Sequence, residues 1–375
     1  MSGPRRRPDL RWIMSLLTVL TCAATLPRLW FGRGAERWMQ PAGAEAIGLA
    51  ETVAARAGLR PGDMHTGSAQ FDGEWALVTN EMTVLGLSQV VRDQPQLKDK
   101  FLPAMRAAAA ATVTEEALAF GAAQWGEPSS SGGEHGHAYL GYAALALGVL
   151  RGLDEHMDPA LVAQHEQLIA ALAGRLEDAP YGMIETYPGS TFPADVASVV
   201  GAIGQHARVS GADHSELLGR WSKLVRERYR GADGLVYQTV DPLRGVGLGE
   251  ARASGTALIV YFSSFADREL ALELDASLSR RLRSFWGFGG VREYPVGARG
   301  GAGDIDSGPV LFGVSVSGTG FGLAGARMSG DTGRFTALYR TATLFGAPVR
   351  RGHGWGYVVG SGLGDAILLA MMTAL

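Results

Sequence analysis

Apolar positions along this chain recur with helical spacing, in two alternating kinds of segment. One kind is apolar on nearly every face and rich in small residues. The other carries one apolar stripe and a charged back. Residues 75–90, 137–152, 195–209, 254–265, 306–328 and 365–375 are of the first kind. Residues 96–120, 159–176, 215–229, 268–285 and 332–344 are of the second and alternate with them. The apolar segments begin at 75, 137, 195, 254, 306 and 365, a period of about 60 residues. A helical hairpin with its loops fills that length. Six of them predict an all-α (α/α)6 toroid, a barrel of six hairpins with inner helices ringed by outer ones. The last inner helix has no partner after it, so residues 44–57 are predicted to supply one. That pairing closes the ring and covers the exposed ends of the repeat. Strand-like pieces at 235–240 and 290–294 each lead into a loop before an inner helix.

Composition narrows the function. The chain has 375 residues, a formal charge of −3 and 19% charged residues, which argues against bulk-electrostatic nucleic-acid binding. Glycine is abundant, with 53 residues, yet too aperiodic for collagen. Gly313, Gly318, Gly320, Gly322 and Gly325 fall within the fifth predicted inner helix, where small residues allow close packing. The others concentrate in loops. Gly320-Phe321-Gly322-Leu323-Ala324-Gly325 matches a dinucleotide fingerprint, but no strand or later acidic partner accompanies it. It is read as helix packing. Cys22 is the one cysteine, which excludes an internal disulfide and a cysteine-based zinc site.

The N-terminus departs from the repeat. Arg5, Arg6, Arg7 and Arg11 precede an apolar run over 12–26, the order of a signal peptide. Leu29, Trp30 and Phe31 extend it toward an interfacial anchor. Residues 1–35 are therefore expected to be a signal peptide or membrane anchor, and 40–375 a single barrel domain. The expected location is exported or inner-membrane anchored, with the barrel outside the cytoplasm. The bland alternative is a frayed amphipathic terminus.

In a toroid the loops entering the inner helices line the mouth of an axial cavity, and polar residues repeat there. Glu134, His135 and His137 open the second inner helix. Glu185, Tyr187 and Asp195 lead into the third. Ser254 opens the fourth, and Glu293, Asp304 and Asp306 precede the fifth. Asp195, Asp306 and Asp365 also suit helix N-caps, a role compatible with catalysis. His135 and His137 are two apart and cannot chelate a metal as an i, i+4 pair does. No metal or cofactor is expected. Carboxylates and a histidine around one cavity suit proton transfer, because an apolar cavity raises a carboxyl pKa and keeps one group protonated.

The stretch Phe71–Trp75, the pair Gly136-His137, the loop Glu185–Asp195, the pair Asp267-Arg268 and Val291-Arg292-Glu293 resemble linalool dehydratase/isomerase over about 71–375. The resemblance implies a six-hairpin α/α barrel, an exported precursor, subunit rings and cofactor-free acid–base hydration, dehydration or isomerisation of a terpene alcohol. The family's active-site histidine falls on His137, its two cysteines on Glu185 and Asp195, and a tyrosine on Ser254. Its N-terminal acidic residue and tyrosine have only Asp63 as a positional match. Both cysteines being carboxylates puts linalool itself in doubt.

Three readings follow. The first is an enzyme of that type, acting on a neutral, partly apolar alcohol or alkene. Glu185, Asp195 and His137 would be catalytic, and Tyr187, Ser254, Glu293, Asp304, Asp306 and Trp75 substrate-binding. The second is a six-hairpin glycosidase or polysaccharide lyase using paired carboxylates, with aromatic platforms drawn from Trp75, Trp125, Tyr187, Trp286, Tyr294 and Trp355. The third is a non-catalytic, membrane-tethered scaffold. A small-molecule substrate and possible homo-oligomer are the expected partners, and nucleic acid is not.

Overall fold

The computed structural model describes residues 10–129, 135–298, 300–352 and 354–375. Its helices are α1 (Leu10–Phe31), α2 (Ala35–Trp38), α3 (Ala44–Ala54), α4 (Ala69–Asp93), α5 (Lys98–Ala111), α6 (Glu115–Trp125), α7 (Leu140–Arg151), α8 (Pro159–Asp178), α9 (Pro193–Ser210) and α10 (Ser215–Arg228). They continue as α11 (Ala253–Ser263), α12 (Arg268–Ser279), α13 (Val316–Met328), α14 (Thr332–Gly346) and α15 (Ser361–Met372). The inner ring runs α4, α7, α9, α11, α13, α15, each packed on the next, and α15 returns to α4. Helices α5, α8, α10, α12 and α14 surround it, and α3 packs on α15 and α4. The inner ring therefore closes directly from α15 to α4, and α3, within the predicted 44–57, takes the outer place beside them.

Close approach of inner helices needs glycine at the contacts. A Cβ on Gly141 of α7 would collide with Ser198 of α9, and one on Gly204 of α9 with the Phe265 carbonyl after α11. That proximity offsets the helix-propensity cost of glycine, about 1 kcal/mol against alanine. The fingerprint-like run Gly320–Gly325 lies inside α13.

Three expectations are corrected in detail. The segment 306–328 is helical only from Val316; before it come β5 (Gly303–Asp304), β6 (Gly308–Leu311) and β7 (Val314–Ser315). Gly303, Gly308 and Gly313 adopt positive φ there, so Gly313 belongs to a turn and not to the helix. The outer segment 96–120 breaks in two, because Thr114 caps α6 by accepting the Ala117 amide at 3.1 Å. The outer segment 268–285 stops at Ser279, and β3 (Leu282–Phe285) pairs with β4 (Phe288–Arg292).

These strands form one antiparallel sheet in the order β3-β4-β7-β6-β5. Two hairpins, β1 (Tyr237–Asp241) with β2 (Val246–Ala251) and β8 (Pro348–Arg351) with β9 (Gly354–Tyr357), complete the loops. Helix α1 meets the barrel at its C-terminal end, where it contacts α14 and where Phe31 meets Phe288 of β4. It is long and apolar enough to cross a membrane, and its apolar window is not buried against the protein. The arginines at 5–7 lie outside the described residues.

Candidate active site

The N-terminal halves of the inner helices surround a cavity of about 550 Å³. Helix α4 contributes Glu74 and Trp75, α7 Tyr142, α9 Asp195, α11 Ser254, α13 Ser317 and Phe321, and α15 Ile367. Tyr187, Gln238 and Asp306 enter from loops and from β1. Among the described residues no lysine, arginine or histidine lines it, whereas Glu74, Asp195 and Asp306 do.

Asp195 sits in the first turn of α9, whose N-cap is Phe192. It is therefore not a cap. Its Oδ1 accepts the Tyr142 hydroxyl at 2.5 Å and its Oδ2 the Thr186 hydroxyl at 2.7 Å. Burial pushes its carboxyl up to about 6; the two hydroxyls oppose that, and Asp306 and Glu74 add to it. Desolvation of the charged form outweighs the hydrogen bonds that favour it. Asp306 and Asp365 are not caps either, since Ser315 caps α13 and Gly360 precedes α15. Asp365 instead accepts the Tyr357 amide at 2.7 Å.

Glu74 faces the same cavity. Gln70 Nε2 donates to its Oε1 at 2.8 Å, and the Tyr187 hydroxyl donates to that same oxygen. Two donors on one oxygen serve a carboxylate, which only accepts. Asp306 accepts Gln238 Nε2 at 2.9 Å. Its carboxyl is raised, first by desolvation and then by the charge of Asp304.

Glu293 and Asp304 do not reach the cavity; they support it. Glu293 is fully buried and accepts the Ser254 amide at 3.1 Å and hydroxyl at 2.6 Å. It also accepts Arg252 Nε at 2.8 Å, while Asp304 takes both terminal nitrogens of Arg252 at 2.5 and 2.8 Å. That bidentate pair holds the Asp304 carboxyl down at about 2. The substrate-binding expectation for these two becomes a positioning role for Ser254.

Two of the three expected catalytic residues are also displaced. The Glu185 carboxylate accepts the Gly189 amide at 2.9 Å, closing the turn that carries Tyr187, and does not line the cavity. His137 is 1% exposed, and its ring stacks on Trp125 at 4.6 Å. Its Nδ1 lies 3.0 Å from the Tyr139 hydroxyl and its Nε2 2.9 Å from Glu127. Burial lowers its pKa, against the pull of Glu127. Tyr139, not His137, lines the cavity. Of the proposed platforms, Trp75 and Tyr187 line it, while Trp125, Trp286, Tyr294 and Trp355 do not. Glu134 lies outside the described residues.

Sequence reasoning passed over Glu74, Tyr142, Gln238 and Glu81, while Arg252 stood among the polar residues at the entry to the fourth inner helix. Glu74 and Glu81 are seven apart on α4, so they lie along one face. Glu81 is fully buried and neither carboxyl oxygen has a partner among the described residues. Burial, then the charge of Asp195, raises its pKa well above the usual carboxyl range. Burial in the inner ring thus favours its neutral form.

Superposition on solved structures decides the architecture. An unsaturated glucuronyl hydrolase specific for heparin aligns over 92% of this chain and 96% of its own, with a TM-score of 0.54 and 12% identity. The fold is a six-hairpin α/α barrel. At that identity the likeness speaks for the fold alone. A polysaccharide lyase aligns over 82% of this chain and 100% of its own at 12% identity, but its TM-score of 0.36 is too low to support an argument. No protein-family model matches the chain, and no curated protein matches it either. The proposed linalool dehydratase/isomerase relationship thus narrows to a shared barrel architecture.

Proposed function

We propose that the barrel is a carbohydrate-active enzyme that breaks or hydrates a glycosidic or enol-ether linkage by acid–base chemistry. One observation carries the reading: a buried carboxyl with its pKa raised to about 6, Asp195, shares with Glu74 a cavity lined by hydrogen-bonding side chains. Asp195 donates the proton to the departing oxygen or to the vinylic carbon, water adds to the resulting oxocarbenium carbon, and Glu74, held by Gln70 and Tyr187, takes the proton that the water gives up. Gln70, Gln124, Gln238, Ser190 and Ser317 supply amides and hydroxyls that both donate and accept, which matches sugar hydroxyls. Trp75 and Tyr187 supply faces for the apolar side of a ring.

The cavity charge constrains the substrate. With three carboxyl groups and no cationic side chain lining it among the described residues, a uronate would enter unpaired and against repulsion. The favoured substrate is therefore a neutral sugar. A second reading rests on the inner wall, where Leu77, Val78, Met82, Leu258 and Phe321 are apolar. That surface suits a terpenoid-like alcohol whose hydroxyl Asp195 protonates on dehydration.

The test is a turnover panel of neutral oligosaccharides, uronate-terminated oligosaccharides and acyclic terpene alcohols, run with the parent chain and Asp195→Asn. The expected result is turnover of a neutral oligosaccharide, lost in the variant. Turnover of terpene alcohols alone moves the assignment to the second reading. Turnover of uronates alone contradicts the charge argument.

A further inference from the structure

The β3–β4 hairpin turns through Trp286 and Gly287, and both adopt positive φ, +50° and +78°. Two-residue turns of this hand favour asparagine, aspartate or glycine at the first position, because a bulky side chain is strained there. A tryptophan is not explained by the turn. Nor is it explained by packing: Trp286 is 62% exposed and its neighbour Phe285 72%. Their rings stack on one another at 4.9 Å, making a continuous apolar surface in open solvent.

The place of this tip is informative. Phe31, the last residue of α1, meets Phe288 of β4 at 6.2 Å between ring centres. Arg340 of α14 ties the two together, donating from Nε to the Arg28 carbonyl and from Nη1 to the Gly287 carbonyl, each at 3.0 Å. The hairpin tip thus lies where the apolar α1 helix meets the barrel. Trp30, 67% exposed, lies at the same end of α1, with the Arg33 guanidinium 5.4 Å over its ring. Arg28 and Arg283 are exposed beside them. Tryptophan and phenylalanine flanked by arginine, at the end of an apolar helix, match the composition of a membrane–water interface.

We propose that Phe285 and Trp286 insert into the lipid interface beside the point where α1 leaves the bilayer, so that the barrel is held by two contacts. The second contact stops the barrel from swivelling on the short α1–α2 connection and presents one wall, that of α14, to the membrane. The proposal rests on α1 being a retained membrane helix.

The test uses the full chain with Cys22→Ser and Trp286→Cys, labelled at the new thiol with an environment-sensitive nitrobenzoxadiazole probe. The protein is reconstituted into vesicles of phosphatidylcholine and phosphatidylglycerol. A control label goes at Gln167→Cys on α8, which packs against α7 and α9 on another side of the ring. The probe at 286 is expected to shift to the blue and to lose more than half its emission to lipids spin-labelled near the headgroup. The probe at 167 should do neither. Phe285→Cys gives the same readout should the variant at 286 fail to fold. A chain that floats with the vesicles while the tip probe stays water-exposed overturns the proposal. A blue-shifted probe that lipid labels do not quench also overturns it, in favour of contact between protein copies. A chain that does not float overturns the membrane role of α1, and the proposal with it.

Discussion

At the scale of single residues, Asp195 is where chemistry and burial meet. The Tyr142 hydroxyl favours its ionised form, so Tyr142→Phe removes a term that holds the pKa down. If Asp195 must be protonated to act, the falling limb of kcat/KM against pH should move upward in that variant. A limb that stays in place assigns the titration to another group. Glu81 makes a stability prediction of defined sign. Its pKa is raised in the folded protein, so its contribution is fully present below the ordinary carboxyl range. It is lost progressively as pH rises from there toward the folded value, because the unfolded chain gains by ionising. Glu81→Gln should therefore raise the urea midpoint at pH 7 and leave it little changed at pH 4. Equal midpoints for both proteins at pH 7 would contradict a buried neutral acid.

Sequence pattern singled out Asp195, Tyr187, Ser254, Asp306 and Trp75, all of which line the cavity. It missed Glu74 and Glu81 because an acid inside a helical segment reads as part of a solvated face until the ring buries it. It misplaced His137 and Glu185 because position along a loop does not fix side-chain direction. His137 adopts φ +61° and turns toward Trp125, and Glu185 is drawn to its own turn by Gly189.

At the scale of elements, helix periodicity carried most of the information. The inner helices are buried on nearly every face, so their apolar pattern is unbroken, and the outer place of 44–57 follows from counting partners. What local pattern missed were the strands over 303–315. Only β7 pairs with β4, across the intervening loop, while β5, β6 and β7 pair in succession through glycines whose positive φ turns the chain. Inner-ring packing gives a test at this scale. Gly204→Ala places a methyl against the Phe265 carbonyl and the backbone of Ala266. Despite alanine's better helix propensity, it should lower unfolding free energy by roughly 1–3 kcal/mol, measured by denaturant titration. A neutral or stabilising result would mean that α9 and α11 separate readily.

At the scale of the whole molecule, a closed ring places six helix N-terminal halves around one cavity, so residues from 74 to 367 meet in a single site. Burial on that axis raises the pKa of Asp195, and the proposal of a neutral substrate follows from the carboxyl-rich lining among the described residues. On the proposed function, Asp195 donates a proton in this cavity to a neutral carbohydrate. The most direct measurement is kcat/KM against pH on a turned-over neutral oligosaccharide, for the parent chain and Asp195→Asn. The parent should lose activity as pH rises through about 6, where the acid deprotonates, and the variant should fall by roughly 10²–10⁴-fold with its helical circular dichroism unchanged. A parent profile flat from about pH 5 to about pH 8, or a folded variant with full activity, would contradict proton donation by Asp195.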